Sequence, residues 1–500
     1  MVRLTCLLVM GLLSAVLSTT QAIESCCRDL GCFSSDAPFF HPLYRPVISV
    51  PKCSLLDTFQ LHLNTRLNPI QTQVLDPYQP STFGSTNLDL SKATAILIHG
   101  FTDLWDWPWW SDMVAAILRD ADVNVIRLNW DEATVLPFIQ SVADTRLAGA
   151  FVAKFINILK DEHGYNPQRI HIISHSLGVH AAAYAGERVD KVGRITGLDP
   201  GRLYFENTEP AVRLDPTDAT VVDNIITDGE NFPGFALGSL QQMGHISIYV
   251  NGGSRQPGCA LGQIATIFGT QTAYNSTTYD ASAIWRMTEY QNKACSHWRA
   301  FFLFLESIGR EKSSSLAFEC GSYNEFLAGN CFSNASARTS VGYYPNLDLV
   351  SGNVMRNFYS AATDRIPFST MGFKLNFRLQ SKTENSNSQA KRGTLTARIV
   401  GTLGATEKLT ITSEIIDLTP GAEVSLYFHS KHQTLGAIQA VTLEWDAVPN
   451  PFLPLDWMRK HYIYLAGDLQ LTTDHGSLIR LRPSRAQILE NEDLTATVGV

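Results

Sequence analysis

The stretch Ile170-His171-Ile172-Ile173-Ser174-His175-Ser176-Leu177-Gly178-Val179-His180 decides how the rest of the chain is read. An apolar, β-branched run ends in small residues, and Ala181–Arg188 then continues as a helix. A strand that enters a helix through so tight a turn projects the hydroxyl of Ser176 above the sheet edge, and small neighbours let strand and helix pass closely. The helix start adds backbone N–H groups and a positive dipole end where an oxyanion would form. The pattern is Gly-x-Ser-x-Gly with Ser174 in the first glycine's place, which adds one small side chain to the turn. A serine that merely caps a buried helix is the competing explanation. The strand and helix flanks speak against it.

Working outward, Ala95–Ile98, Val123–Leu128, Ile170–Ile173 and Ile195–Leu198 read as buried strands. Between two of them Leu147, Phe151, Phe155, Ile158 and Leu159 recur at helical spacing. Strand–helix alternation predicts a mostly parallel α/β sheet. After Phe373 the texture changes to period two: Phe373, Leu375, Phe377 and Leu379 fall on one face. Similar runs at Leu395–Val400, Val424–Phe428, Val441–Trp445 and Tyr462–Leu465 predict a β-sandwich over the last 130 or so residues, with Ser381–Arg392 as a polar loop inside it. The domain boundary is expected near residues 355–370.

A serine hydroxyl needs an imidazole to take its proton and a carboxylate to orient that imidazole. On this type of sheet the partners follow in the order Ser, Asp/Glu, His. Asp199 is the first acid to end an apolar strand after Ser176; Asp215, Asp218, Asp223 and Asp228 compete with it. Two histidines lie downstream, His245 at the head of the strand Ile246–Val250 and His297 just after Cys295. A bridge at Cys295 would fix the loop of His297, which favours it modestly. The strand Ala95–Ile98 ends in His99-Gly100-Phe101, so the backbone amides of Phe101 and Leu177 form a natural oxyanion pair. The next loop, Trp105-Asp106-Trp107-Pro108-Trp109-Trp110, offers either core filling or an apolar wall for acyl chains.

Composition narrows the class of function. With 39 Lys+Arg against 47 Asp+Glu, the net charge of −8 argues against a nucleic-acid partner. Arg480, Arg482 and Arg485 make only a small basic cluster, which argues against strong heparin binding. Hydrophobic residues at 45% exclude disorder, and 500 residues suggest two domains. Arg3, the apolar run Leu4–Leu17 and Thr20-Gln21-Ala22 fit a signal peptide over residues 1–22, hence a secreted, extracellular protein. Beyond Cys6 there remain eight cysteines, an even number that suggests four bridges. Their clustering favours Cys320–Cys331 and Cys259–Cys295. Asn275 and Asn334 head glycosylation sequons.

Five short stretches carry a resemblance: Ile98–Phe101, His175–Gly178, Gly193–Pro200, Val212–Asp218 and Cys295–Arg299. In that order and spacing the chain resembles the pancreatic lipase family of secreted triacylglycerol lipases. The resemblance implies an α/β-hydrolase domain over 23–355 with a lid at 259–295, then a PLAT-like all-β sandwich at 370–490. It implies Ser176 as nucleophile, Asp199 as acid and His297 as base. It also implies Cys26–Cys32 beside the two pairs above, leaving Cys27–Cys53 as an extra bridge.

The same resemblance implies a structural Ca²⁺ site at Pro210, Arg213, Asp215 and Asp218, the first two through chain carbonyls; Pro210 stands where Glu is typical, with Glu209 beside it. No organic cofactor is expected. The lid would present Leu261, Ile264, Ala265 and Phe268 on one helical face, with Trp285 further along, and turn outward at a lipid surface. Its length, 35 residues between the cysteines (260–294), leans toward triacylglycerols rather than the phospholipase A1 alternative. A catalytically silent lipid-binding relative is the third reading, against which the intact Ser176, Asp199 and His297 set speaks. Expected partners are a lipid droplet, micelle or lipoprotein surface and a colipase-like protein at the C-terminal domain.

Overall fold

A computed structural model describes residues 22–135, 137–229, 236–259, 282–309, 315–332, 337–364, 366–381, 391–412, 414–431, 435–449 and 461–499, with side chains left out for 282–293. Residues 1–21 of the expected signal segment, the expected lid residues Leu261, Ile264, Ala265 and Phe268, both sequon asparagines and the side chain of Trp285 lie outside that description. The chain divides into two compact units, Met1–Val222 and Asp223–Val500.

The first unit opens with a short antiparallel pair, β1 (Glu24–Cys26) and β2 (Cys32–Ser34), closed by Cys26–Cys32 and anchored by Cys27–Cys53. Its main sheet uses β3 (Gln60–Asn64), β4 (Gln73–Leu75), β5 (Thr94–Ile98), β6 (Asn124–Asn129), β7 (Ile170–His175) and β8 (Arg194–Leu198), in the order β8-β7-β5-β6-β3-β4. The four strands read from apolar runs are parallel neighbours, while β3 and β4 add an antiparallel edge. Such runs suit strands covered on both faces.

Three helices connect them: α1 (Pro108–Asp120), α2 (Phe138–His163) and α3 (Gly178–Gly186). Proline at the first position of α1 forgoes an amide that has no helical partner anyway. Gly164 ends α2 in the left-handed region at φ +66°, and its N–H caps the Lys160 carbonyl. Leu147, Phe151, Phe155 and Leu159 of α2 are all buried, as their spacing requires.

In the second unit β9 (Val221–Ile226) and β10 (Ile246–Val250) are parallel, as are β10 and β13 (Arg356–Ser360). β11 (Leu316–Glu319) and β12 (Arg338–Ser340) follow antiparallel. The long helix α4 (Ser282–Ser307) is broken at Ala294, where φ −154° and ψ 41° leave the helical region. The bridges Cys259–Cys295 and Cys320–Cys331 are both made. From Thr370 onward every strand pairing in the main sheet is antiparallel, with Thr370–Arg378, Lys391–Gly401, Glu423–Lys431 and Ile438–Ala447 the longest members. Phe373, Leu375, Phe377, Leu395, Val441, Leu443 and Trp445 share one buried core, so the period-two reading gives the face that packs inward. No described helix is long and apolar enough to cross a membrane.

Candidate active site

Ser176 stands between β7 and α3 with its backbone left-handed at φ +55°. A non-glycine residue in that region is strained and persists only where its surroundings over-determine it. Here the Ser176 N–H donates to the Leu198 carbonyl at 3.0 Å, and its carbonyl accepts the Gly201 N–H at 3.1 Å. Both bonds reach the end of β8 or the loop that follows it.

Two glycines allow the closest approaches. A Cβ on Gly178 would stand 2.3 Å from the His99 carbonyl oxygen and 2.7 Å from that of Ile98. A Cβ on Gly100 would stand 2.8 Å from Ser176 Cβ and 3.4 Å from its Oγ. The loop after β5 therefore lies directly against the serine. Ser174, in the usual glycine position, is fully buried, and its hydroxyl donates to the Thr196 carbonyl at 3.2 Å. The extra side chain is absorbed by one hydrogen bond to β8.

Asp199 follows β8, fully buried and left-handed at φ +46°. Ile98 is paired with Ser174 and His175 with Leu198, so β5, β7 and β8 end level. The residues just past those ends gather at one sheet edge, where open α/β sheets receive ligands. Phe101 lies there, its ring edge-on to Phe138 at 4.8 Å. Buried Leu177 lies there too, next to Gly201.

His180 is a participant that sequence reasoning missed. Its Nε2 donates to the Gly201 carbonyl at 2.8 Å, its Nδ1 accepts the Leu214 N–H at 3.4 Å, and its ring stacks on Phe205 at 3.6 Å. These bonds require the neutral ring, and burial pushes its pKa down to about 3 against the opposing pull of the Gly201 carbonyl. The imidazole thus fastens the segment after Asp199 to α3. No spacing rule identifies such a residue, because its partners lie 21 and 34 positions away.

In the second unit His297 is buried just past the break in α4, and burial pushes its ring down to about 3. Its surroundings are tied down by Cys259–Cys295, by the Gln256 N–H on the Ser296 hydroxyl at 2.9 Å, and by Arg299 donating to the Pro257 carbonyl at 3.1 Å. A carboxylate oxygen of Asp228 lies within 4.8 Å of a ring nitrogen of His297. His245 heads β10, where its carbonyl accepts the Arg356 N–H at 2.9 Å. The tryptophan-rich loop divides its work: Trp109 and Trp110 are buried in α1, while Trp105 stacks on His62 at 3.6 Å.

At the expected cation loop, Asp215 and Asp218 are buried in a reciprocal cap. Asp218 Oδ2 accepts the Asp215 N–H at 2.8 Å, and Asp215 Oδ1 accepts the Thr217 N–H at 2.7 Å. Asp218 Oδ1, buried, has no hydrogen-bond partner among the described residues. Burial, then the charge of Asp215, holds the Asp218 carboxyl well above its ordinary range. Burial likewise raises nearby Glu187 to about 7, with Asp215 adding to it. A buried carboxylate oxygen without a proton donor suits a hard cation.

Residues 23–368 match the family described as Lipase. The chain is 32% identical over 445 residues to inactive pancreatic lipase-related protein 1 of Homo sapiens, covering 88% of this chain and 90% of that protein. It is 32% identical over 455 residues to pancreatic triacylglycerol lipase of Mus musculus, covering 90% and 92%. With pancreatic lipase-related protein 2 of Myocastor coypus it shares 34% over 375 residues, covering 74% and 77%. With that family match over most of its length and relatives above 30% identity covered nearly end to end, the chain belongs to the Lipase family.

Proposed function

We propose that the chain is a secreted carboxylic ester hydrolase that releases fatty acids from triacylglycerols at lipid–water interfaces through an acyl-serine intermediate. The observation that carries this reading is the left-handed Ser176, held to the loop of Asp199 and pressed against Gly100. Ser176 Oγ attacks the ester carbonyl while His297 takes its proton, and Asp199 orients the imidazole. The amides of Phe101 and Leu177 receive the oxyanion. The alcohol leaves with the proton from His297, and water then attacks the acyl-serine to free the fatty acid. Burial keeps the His297 ring neutral at neutral pH, the form that accepts a proton.

The carboxylates of Asp215 and Asp218 with the carbonyls of Pro210 and Arg213 would hold Ca²⁺, which supplies charge balance to that loop rather than chemistry. The four disulfides suit an extracellular setting. A droplet, micelle or lipoprotein surface, with a colipase-like protein at the β domain, completes the proposed context.

Ser176→Ala is expected to lower release of fatty acid from emulsified triolein by at least about 10⁴-fold with an unchanged thermal midpoint. Retention of more than a few per cent of the activity by that variant would rule the mechanism out. The second reading, a silent lipid-binding chain, draws on a relative named inactive. Labelling of Ser176 by a fluorophosphonate separates the two, since a silent chain stays unlabelled.

A further inference from the structure

Phe101 sits in a loop with polar groups placed close on both sides of it. Thr102 next to it is left-handed at φ +56°, and its N–H donates to the Thr134 carbonyl at 2.8 Å. His99 Nε2 lies 3.0 Å from Asp131 Oδ1, and His99 Nδ1 lies 3.0 Å from the Gly100 carbonyl oxygen. Asp131 Oδ1 also accepts the Trp105 N–H at 3.2 Å. At the centre is Asp103, whose carboxyl is shut off from solvent. Its Oδ1 accepts the Leu104 N–H and its Oδ2 the indole N–H of Trp110, each at 2.9 Å.

A carboxylate this deep is costly unless its oxygens are used. Burial pushes it up to about 7, while His99, the Trp110 indole and the amides of Leu104 and Gly100 pull the other way. Ordinary core filling would call for an apolar residue here. What the carboxylate provides is a tie between Trp110 of α1 and the Leu104 amide, three residues past Phe101.

We propose that Asp103 is a positioning residue for the oxyanion donor, holding the Phe101 amide in its working direction before substrate arrives. The proposal rests on the reading of Phe101 and Ser176 given under Proposed function. An oxyanion donor acts only when aimed beforehand, and its loss costs about 10²–10³ in kcat. Asp103→Asn keeps the shape but exchanges one acceptor oxygen for a donating NH₂, so the side chain serves either Leu104 or Trp110 and opposes the other. Trp110→Phe keeps the aromatic packing and removes only the indole N–H.

The test uses the full chain with p-nitrophenyl butyrate in detergent, reading kcat, KM, the thermal midpoint and inhibition by phenylboronic acid, whose tetrahedral adduct occupies the oxyanion position. For Asp103→Asn the expected result is a kcat lower by about 30- to 100-fold, KM within about threefold and boronate inhibition weakened in parallel. Trp110→Phe is expected to lose about 3- to 10-fold in kcat with the same split. Should Asp103→Asn not fold, Trp110→Phe decides. Folded variants with kcat within twofold of the parent, or with only KM raised, would overturn the positioning role. A parent chain that neither turns over this ester nor takes a fluorophosphonate at Ser176 would instead overturn the hydrolase reading.

Discussion

His180 makes a prediction at the scale of one residue. Its folded value of about 3 lies below the unfolded value of about 6.5, so the unfolded chain takes up the proton first as pH falls. Its contribution is therefore whole above about pH 6.5 and is lost as pH falls from there toward 3, by roughly 1.4 kcal/mol per pH unit at most. His180→Gln removes that titration. Between pH 7.5 and 5.0 the parent is expected to lose about 2 kcal/mol more than the variant in urea unfolding. Equal losses would show that the ring is not held neutral between Gly201 and Leu214. The elbow serine was legible in the sequence because its signal is local, a strand, a turn and a helix within a dozen positions. His180 and Asp103 were not legible, since their roles depend on Gly201, Leu214 and Trp110, which only the folded chain brings to them.

Between elements, the decisive contact is α3 against the end of β5. Gly178 allows it, because any Cβ there would meet two backbone carbonyl oxygens that have nowhere to move. Gly178→Ala is expected to cost about 3 kcal/mol or more in urea unfolding, since a backbone clash cannot be relieved by a rotamer change. Gly84→Ala is the control: a Cβ on Gly84 meets nothing within 4 Å, so the change should be near neutral. Similar losses at both positions would contradict the close approach. The glycine itself was visible in the motif. That it faces the carbonyls of Ile98 and His99 follows from β5 lying beside β7 in register, which no local pattern encodes. The elements themselves were read well, with boundaries moved by a few residues. The helix after the elbow begins at Gly178, ahead of the expected Ala181, because the elbow passes directly into helical hydrogen bonding.

For the molecule as a whole, the proposed Ca²⁺ loop would link a local site to global stability. With Ca²⁺ at about 100 times its dissociation constant, binding would add about 2.7 kcal/mol, or roughly 5–10 °C in the thermal midpoint of a unit of this size. Chelation by EGTA is expected to remove that increment, and Asp218→Asn is expected to make the midpoint insensitive to Ca²⁺. A parent chain whose midpoint ignores Ca²⁺ would leave the buried Asp218 Oδ1 to some other donor. By itself the sequence determined the α/β unit, the following β-sandwich and the elbow at Ser176, because alternation and turn chemistry act over a few residues and survive without tertiary context. Only the tertiary structure decided that Gly100 rests on Ser176, that Ser174 bonds to β8, and that a buried aspartate braces the loop of Phe101. The first two depend on how parallel strands far apart in the chain are stacked in register, and the third on how the loop before α1 folds Trp110 back over Asp103, a packing that leaves no periodic trace in the sequence.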